Sequence, residues 1–315
     1  EFSVRASFLK TEALYSLGLE NQAYSNTVAF LEKYPKSPLV IDANFWLAKY
    51  DFNAHKYEQA ESRFLEFCEK WKESKQAPVA HFLAIYAMLE QKKYSEVITH
   101  TAKWSNMHSN DSLLAEIQFI NGEARSQLLQ FDLAALSFAQ SSKNATTQAL
   151  KLRAMMRQAD CLYTLGADNS VRYEEAALIY KELMIAQEQA RGTSIQMAYK
   201  LAKCYEKLGQ YEAAIDGYYV NIILQVENWA KEAAGTSVVH YLQAIGGTIW
   251  YARAIVDAAL LYEKEGSLDS LKSAEAILVR LVDTQLPCAD EAKISLERIQ
   301  GRLSKMIVTS EKTLE

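Results

Sequence analysis

Residues 198–218 read Ala198-Tyr-Lys-Leu201-Ala202-Lys-Cys-Tyr205-Glu-Lys-Leu-Gly209-Gln-Tyr211-Glu-Ala-Ala214-Ile-Asp-Gly-Tyr218. Leu201, Ala202 and Tyr205 stand at the three- and four-residue offsets that put side chains on one helical face. Gly209 is placed to stop that helix in the left-handed conformation. Tyr211 opens a second helix, in which Ala214 and Tyr218 repeat the same offsets. The stretch is a helix, a tight turn and a helix.

Working outward, the same words recur. The small or apolar residue represented by Ala214 is preceded by Ala23, Ala60, Val97 and Ala134, each 37 residues apart, and then by Ala176. Four residues later come Phe64, Phe138, Tyr180 and Tyr218; three residues earlier come Tyr57, Tyr94, Phe131, Tyr173 and Tyr211. The first helix of each repeat has its own close-packing position at Thr11, Ala48, Ile85, Gly122, Ala159 and Ala202. Phe8, Phe45, Phe82 and Phe119 form a ladder with the same period of 37, and Met156 follows in frame. A fixed period between 20 and 50 residues is the signature of a repeat array. An array presents a long surface, which puts binding ahead of catalysis. The one long spacing, 42 residues from Ala134 to Ala176, is the period plus five residues inserted in the turn between Gly166 and Tyr173.

These residues resemble the tetratricopeptide repeat, whose pattern runs large-x-x-Leu-Gly-x-x-Tyr and then Gly-x-Tyr-x-x-Ala-x-x-x-Phe/Tyr. The resemblance implies an all-α, right-handed superhelical solenoid of antiparallel helix pairs. It places six repeats in register over 1–225. Degenerate repeats and a polar capping helix would follow over 226–315, continuous with the same solenoid. The period exceeds the family's usual 34 residues, and the three extra residues fall between repeats, as in Tyr34-Pro35-Lys36-Ser37-Pro38. That ending, with Ala43-Asn-Phe45-Trp46-Leu47-Ala48 after it, looks like a subclass found in bacterial envelope proteins. Beyond Tyr218, residues 219–234 are expected to prolong the second helix, Gly235, Gly246 and Gly247 to interrupt, and later helices to run over 273–283 and 289–307.

Composition narrows the function classes. Half of the 315 residues are apolar, and only 11 Gly and 4 Pro punctuate the chain, which favours long helices. The net charge is −5 with acids and bases interspersed, so no basic stripe for nucleic acid is present. No apolar run approaches the ~20 residues of a membrane span. Glu1-Phe2 and Leu314-Glu315 are dipeptides that common cloning sites encode, so the chain is read as a piece of a longer protein and its location is left open, with the periplasm or envelope ahead of the cytoplasm. Cys68, Cys161, Cys204 and Cys288 contain no Cys-x-x-Cys pair and read as small buried hydrophobes. The five histidines lack zinc-protease spacing, and Gly246-Gly247 lacks the Lys-Ser/Thr of a phosphate loop. No catalytic residue, cofactor or metal is expected.

In the resembled family the first helices line a concave groove. Carried onto this chain, the groove candidates are Phe45, Lys49 and Phe52; Phe82, Tyr86 and Leu89; Phe119 and Glu123; Met156, Asp160 and Tyr163; Tyr199 and Lys203. Phe82, Tyr86 and Leu89 share one helix face and form the most apolar stretch, so the best anchor is expected there and at Phe45–Phe52. The competing reading of the ladder is packing in the seams between repeats, because Ser7, Asn44, His81 and Gln118 fill a core poorly. The expected function is a non-enzymatic scaffold that binds a protein or peptide, as an envelope adaptor or as a cytoplasmic assembly factor or secretion chaperone. Two alternatives stand beside it. One is the interaction module of a larger protein with an effector domain elsewhere. The other is a self-associating array, with Val238–Trp250 as its packing surface.

Overall fold

The structure, a computed structural model, describes residues 2–187, 189–233 and 236–314, with side chains described through 308. All regular structure among the described residues is helical. The first eight helices are α1 (Phe2–Ser16), α2 (Glu20–Lys33), α3 (Val40–Asn53), α4 (Tyr57–Lys70), α5 (Ala77–Glu90), α6 (Tyr94–Met107), α7 (Leu114–Gln127) and α8 (Phe131–Asn144). They are followed by α9 (Gln148–Leu165), α10 (Val171–Ala186), α11 (Arg191–Lys207), α12 (Tyr211–Tyr218), α13 (Gln225–Glu232) and α14 (Val238–Ile245). The last three are α15 (Thr248–Glu265), α16 (Leu268–Val282) and α17 (Ala289–Leu314). The chain divides within α9 into two compact parts, Glu1–Ala154 and Met155–Glu315.

Within each part, consecutive helices pack as antiparallel pairs, and the repeated small residues are the reason they approach so closely. Ala48, Ile85, Ala159 and Ala202 on first helices, and Ala23, Ala60, Val97, Ala134, Ala176 and Ala214 on second helices, are fully buried. Where the first helix carries glycine the partner's volume fills the space: Phe138 lies where a Gly122 Cβ would stand, and Ala48 shares a buried cluster with Phe64. The first repeat uses Thr11 and Thr27, whose buried hydroxyls hydrogen-bond at 3.0 Å.

The turn within the repeat is built from one left-handed residue in all but the fifth repeat, where the insertion after Gly166 replaces it. Gly18 and Gly209 take φ of 76° and 74°, as their glycines predict, while His55, Lys92 and Leu129 occupy the equivalent places at 58°, 61° and 59°. In the third repeat the Lys93 amide donates to the Met88 carbonyl and the Lys92 amide to that of Leu89, the double closure of a Schellman turn.

The three extra residues per repeat form a second turn, between repeats. The amides of Ser37, Ser74 and Asp111 donate to the carbonyls of Tyr34, Trp71 and His108, and the side-chain oxygens of the same three residues accept from Leu39, Gln76 and Leu113. Each turn begins with an aromatic ring laid on another one helical turn back: Tyr34 on Phe30, Trp71 on Phe67 and His108 on Trp104, with centroids 4.9–5.5 Å apart. Phe30, Phe67 and Trp104 are a second buried ladder with the 37-residue period.

This second ladder explains the first. Phe8 packs on Phe30, and Phe45 on Phe64 and Phe67. The phenylalanines therefore pack between the two helices of their own repeat, and the cores that hold Phe8 and Phe45 also take in Ala43 and Ala80 of the following repeat, as the seam reading expects.

Past Tyr218 the helix continues, but through a π-helical segment, Tyr219–Leu224, into α13. The added residue in that turn lets Ile222, Ile223 and Val226 all remain buried. Of the glycines expected to interrupt, Gly235 lies outside the described residues and Gly246 stops α14 at φ 73°. Gly192 has a contact requirement: a Cβ there would overlap the Ile245 carbonyl oxygen, so α11 meets the end of α14 backbone to backbone. One expectation is corrected. α16 begins at Leu268 and not at 273, because Ser267 caps it by accepting the Ser270 amide. The Val238–Trp250 stretch is largely spent internally: Tyr241 and Leu242 are buried, and the half-buried Val238, Val239, Ile245 and Trp250 pack against the same core.

Candidate functional site

In the N-terminal part, the candidate side chains on α3 and α5 form one ring cluster. Phe52 meets Tyr86 edge-on at 5.8 Å, and Phe82 lies 6.5 Å from Tyr86. Of these three, only Tyr86 is exposed, at 38%. Phe82 and Leu89 pack against the core that holds Trp104 and Ile117. Lys49 is exposed and its ammonium sits 5.9 Å over the Phe45 ring. Both edge a shallow hollow of about 350 Å³ between α1 and α3, shared with Arg5, Glu12, Asp42 and Trp46. Phe119 is buried against Phe138, with the Arg153 guanidinium 4.1 Å from its ring, and Glu123 is half-buried.

The C-terminal part brings more of the candidates to one place. Asp160 and Tyr163 from α9 and Tyr199 and Lys203 from α11 line a hollow of about 360 Å³. The sequence reading missed its other walls: Tyr180 from α10, Lys200 from α11, and Trp250 and Arg253 from α15. Trp250 and Arg253 fall where the repeat degenerates, so no register pointed at them; their spacing of three on one helix is the signal they carry.

Tyrosines hydrogen-bonded to carboxylates line the hollow and the core beside it. Asp160 Oδ1 accepts from the Tyr180 hydroxyl at 2.6 Å and from Lys200 Nζ at 2.5 Å. Tyr199 donates to Asp257 at 2.7 Å and Tyr218 to Glu206 at 2.9 Å. Lys203 Nζ bridges Glu206 at 2.8 Å and Asp257 at 3.5 Å. The Tyr199 ring lies 5.4 Å from Trp250 and 5.7 Å from Tyr218. Burial first, and then the neighbouring carboxylates, push the hydroxyls of Tyr180, Tyr199 and Tyr218 far above the ordinary phenol value, so they stay neutral donors. Burial likewise pushes the Cys204 thiol up to about 12, so it stays protonated at neutral pH.

Charge in this hollow is nearly all compensated. Lys200 and Lys203 have carboxylate partners, whereas the exposed Arg253 guanidinium, which acts on the Tyr199 hydroxyl, has no carboxylate within 4 Å among the described residues. Among the described residues the hollow therefore offers aromatic faces and, in Arg253, a cation with no carboxylate partner. Among the described residues no cluster of three His, Cys, Asp or Glu side chains could hold a metal ion, and no helix is long and apolar enough to cross a membrane.

Paired helices, small-residue contacts and a left-handed turn at fixed period define a helical-repeat chain of the tetratricopeptide type, and solved structures agree. The C-terminal part of a TPR repeat-containing protein from Cytophaga hutchinsonii superposes with a TM-score of 0.64 at 13% identity, over 92% of this chain and 99% of that one. A tetratricopeptide repeat protein from Parabacteroides merdae gives 0.51 at 12% identity, over 95% and 100%. The apo form of RapI gives 0.51 at 12% identity, over 83% and 99%. No protein-family model matches the chain, and no curated protein matches it in sequence. The likeness is one of fold.

Proposed function

We propose that the chain is a non-enzymatic protein-interaction scaffold that captures a peptide or helix on its first-helix faces. One observation supports this most: candidates from two successive first helices, Asp160, Tyr163, Tyr199 and Lys203, converge with Trp250 and Arg253 on a single aromatic hollow. A preformed hollow held by hydrogen-bonded tyrosines loses little conformational freedom on binding. Its chemistry suits a segment that seats an aromatic or aliphatic side chain on Trp250 and Tyr199 and offers a carboxylate to Arg253. Phe52, Phe82 and Tyr86 would supply a second contact of lower polarity in the N-terminal part. The bacterial envelope is the proposed setting, on the Tyr34–Pro38 ending; fractionation that leaves the native protein in the cytoplasm would overturn it.

A displayed random-peptide library tests the binding site. Selection on the wild-type chain should enrich sequences pairing an aromatic with an acidic residue. Enriched peptides should lose about tenfold or more in affinity, 1.4 kcal/mol, on Trp250→Ala and on Arg253→Glu. Tyr86→Ala reports on the N-terminal contact in the same assay. Peptides that bind all variants equally, while the fold is intact, would remove both sites from the reading.

A further inference from the structure

The internal repeat supplies its own control for surface positions. Two residues past the buried small residue of each second helix stand Ser25, Ser62, Thr99, Leu136, Leu178 and Asp216, all exposed. Seven residues further on, the first four repeats carry Glu32, Glu69, Asn106 and Lys143, also exposed, and the fifth carries Ile185. The same helix, α10, begins with Val171 in the inserted turn. Val171, Leu178 and Ile185 are 51%, 71% and 65% exposed, although α10 already buries Tyr173, Ala176, Ala177, Tyr180 and Leu183 on its other side. Solvation alone accounts for a polar residue at these places, as in most of the repeats. It gives no reason for three aliphatic residues at strict seven-residue spacing.

We propose that the outer face of α10 is a self-association surface whose occupant is α10 of a second copy, running antiparallel across a two-fold axis at Leu178. The spacing is the first argument. Val171 and Ile185 lie equally far from Leu178, so an antiparallel copy meets the same three levels: Leu178 on itself, and Val171 level with Ile185 at both ends. Charge is the second. Exposed Glu174 and Lys181 flank the stripe on one side, four residues before and three after Leu178. The two-fold sets Glu174 of each copy beside Lys181 of the other. On the opposite flank, Glu175 faces Glu182 of the other copy, and Glu175 is already held by its own Arg172 at 2.7 Å. A single helix pair of this length buries less than the roughly 1,200 Å² that marks stable complexes, so the dimer is a weak one. The surface is independent of the peptide hollow, which uses the inward side of α10 through Tyr180.

Sedimentation velocity on the whole chain tests this, in a series from about 1 μM to about 1 mM, the affinity range of a small interface. A monomer–dimer equilibrium should appear, and Leu178→Glu should abolish it. Because Leu178 lies on the surface, that variant should keep the wild-type circular dichroism and melting temperature. Glu174→Lys should weaken the dimer about threefold or more, two exposed pairs being lost, and adding Lys181→Glu should restore it. A chain that is monomeric throughout the series overturns the proposal, including when a foreign helix binds the stripe. So does a dimer indifferent to Leu178→Glu. A double charge swap no tighter than the single one overturns the antiparallel register.

Discussion

Gly122 and Phe138 meet as backbone against ring: a Cβ at position 122 would stand 2.7 Å from the edge of Phe138. Phe138 is fully buried and also meets Phe119 at 5.3 Å, so it has nowhere to swing. The glycine is therefore part of the core of the fourth repeat despite its poor helix propensity. Gly122→Ala adds helix propensity worth about 1 kcal/mol but overpacks the pair at a cost of about 1–3 kcal/mol. The expected net effect is destabilisation, read as a lower urea midpoint. Phe138→Leu in the same chain should recover part of the loss, because contacting sites are not additive. A neutral or stabilising Gly122→Ala would show that α7 and α8 separate freely.

The turn inside each repeat makes an opposite prediction for glycine. Lys92 and Leu129 occupy the left-handed place that Gly18 and Gly209 occupy in other repeats, and both are exposed. An L-residue there costs roughly 1–2 kcal/mol, while a glycine adds about 0.4–1 kcal/mol of unfolded-chain entropy. The difference favours glycine. Lys92→Gly and Leu129→Gly should each raise stability by up to about 1 kcal/mol, and Gly209→Ala should lower it. Thermal melts of the three variants decide the matter. His55 is the less clean site, since its Nδ1 lies 2.7 Å from the Tyr57 hydroxyl and substitution removes that contact too.

What could be read in the sequence follows from what each position must satisfy. Ala23, Ala60 and their counterparts were legible because close helix contact favours small residues, with Val97 the largest at that place, so composition is constrained at every repeat. The left-handed turn was legible at Gly209 and hidden at Lys92 and Leu129, where the backbone is the same and the residue is not. Phe30, Phe67 and Trp104 keep the period as faithfully as the phenylalanine ladder, but they were not aligned, and without them the ladder lost its partners. Trp250 and Arg253 lie beyond the last clear repeat, where spacing carries no register; only the packing of α15 on α11 brings them to Tyr199. The exposed aliphatics of α10 were legible as letters but not as a surface, because burial of the other face had to be known first.

His81 and His100 were read as ordinary histidines, and the fold joins them: Nε2 of the buried His81 lies 3.1 Å from Nδ1 of His100. That hydrogen bond needs one donor and one acceptor, so at least one ring facing the other must be neutral. Burial, then the charges of His100, Lys103 and His108, lower His81 from 6.5 to about 4. His100 is lowered as well, by burial first and then by Lys103, against the opposing pull of Glu61 and Glu96. Both folded values lie below the unfolded one. The unfolded chain therefore binds more protons in the interval, and stability rises with pH across it. The contribution is fully present above about 6.5 and is lost as pH falls toward 4. Urea midpoints should thus drop between pH 6.5 and pH 4 by more than carboxylate protonation alone would give. His81→Gln keeps a donor toward His100 and cannot titrate, so its midpoint should fall less steeply over the same interval. Equal slopes for the two proteins would show that the pair takes up its protons without cost to the fold.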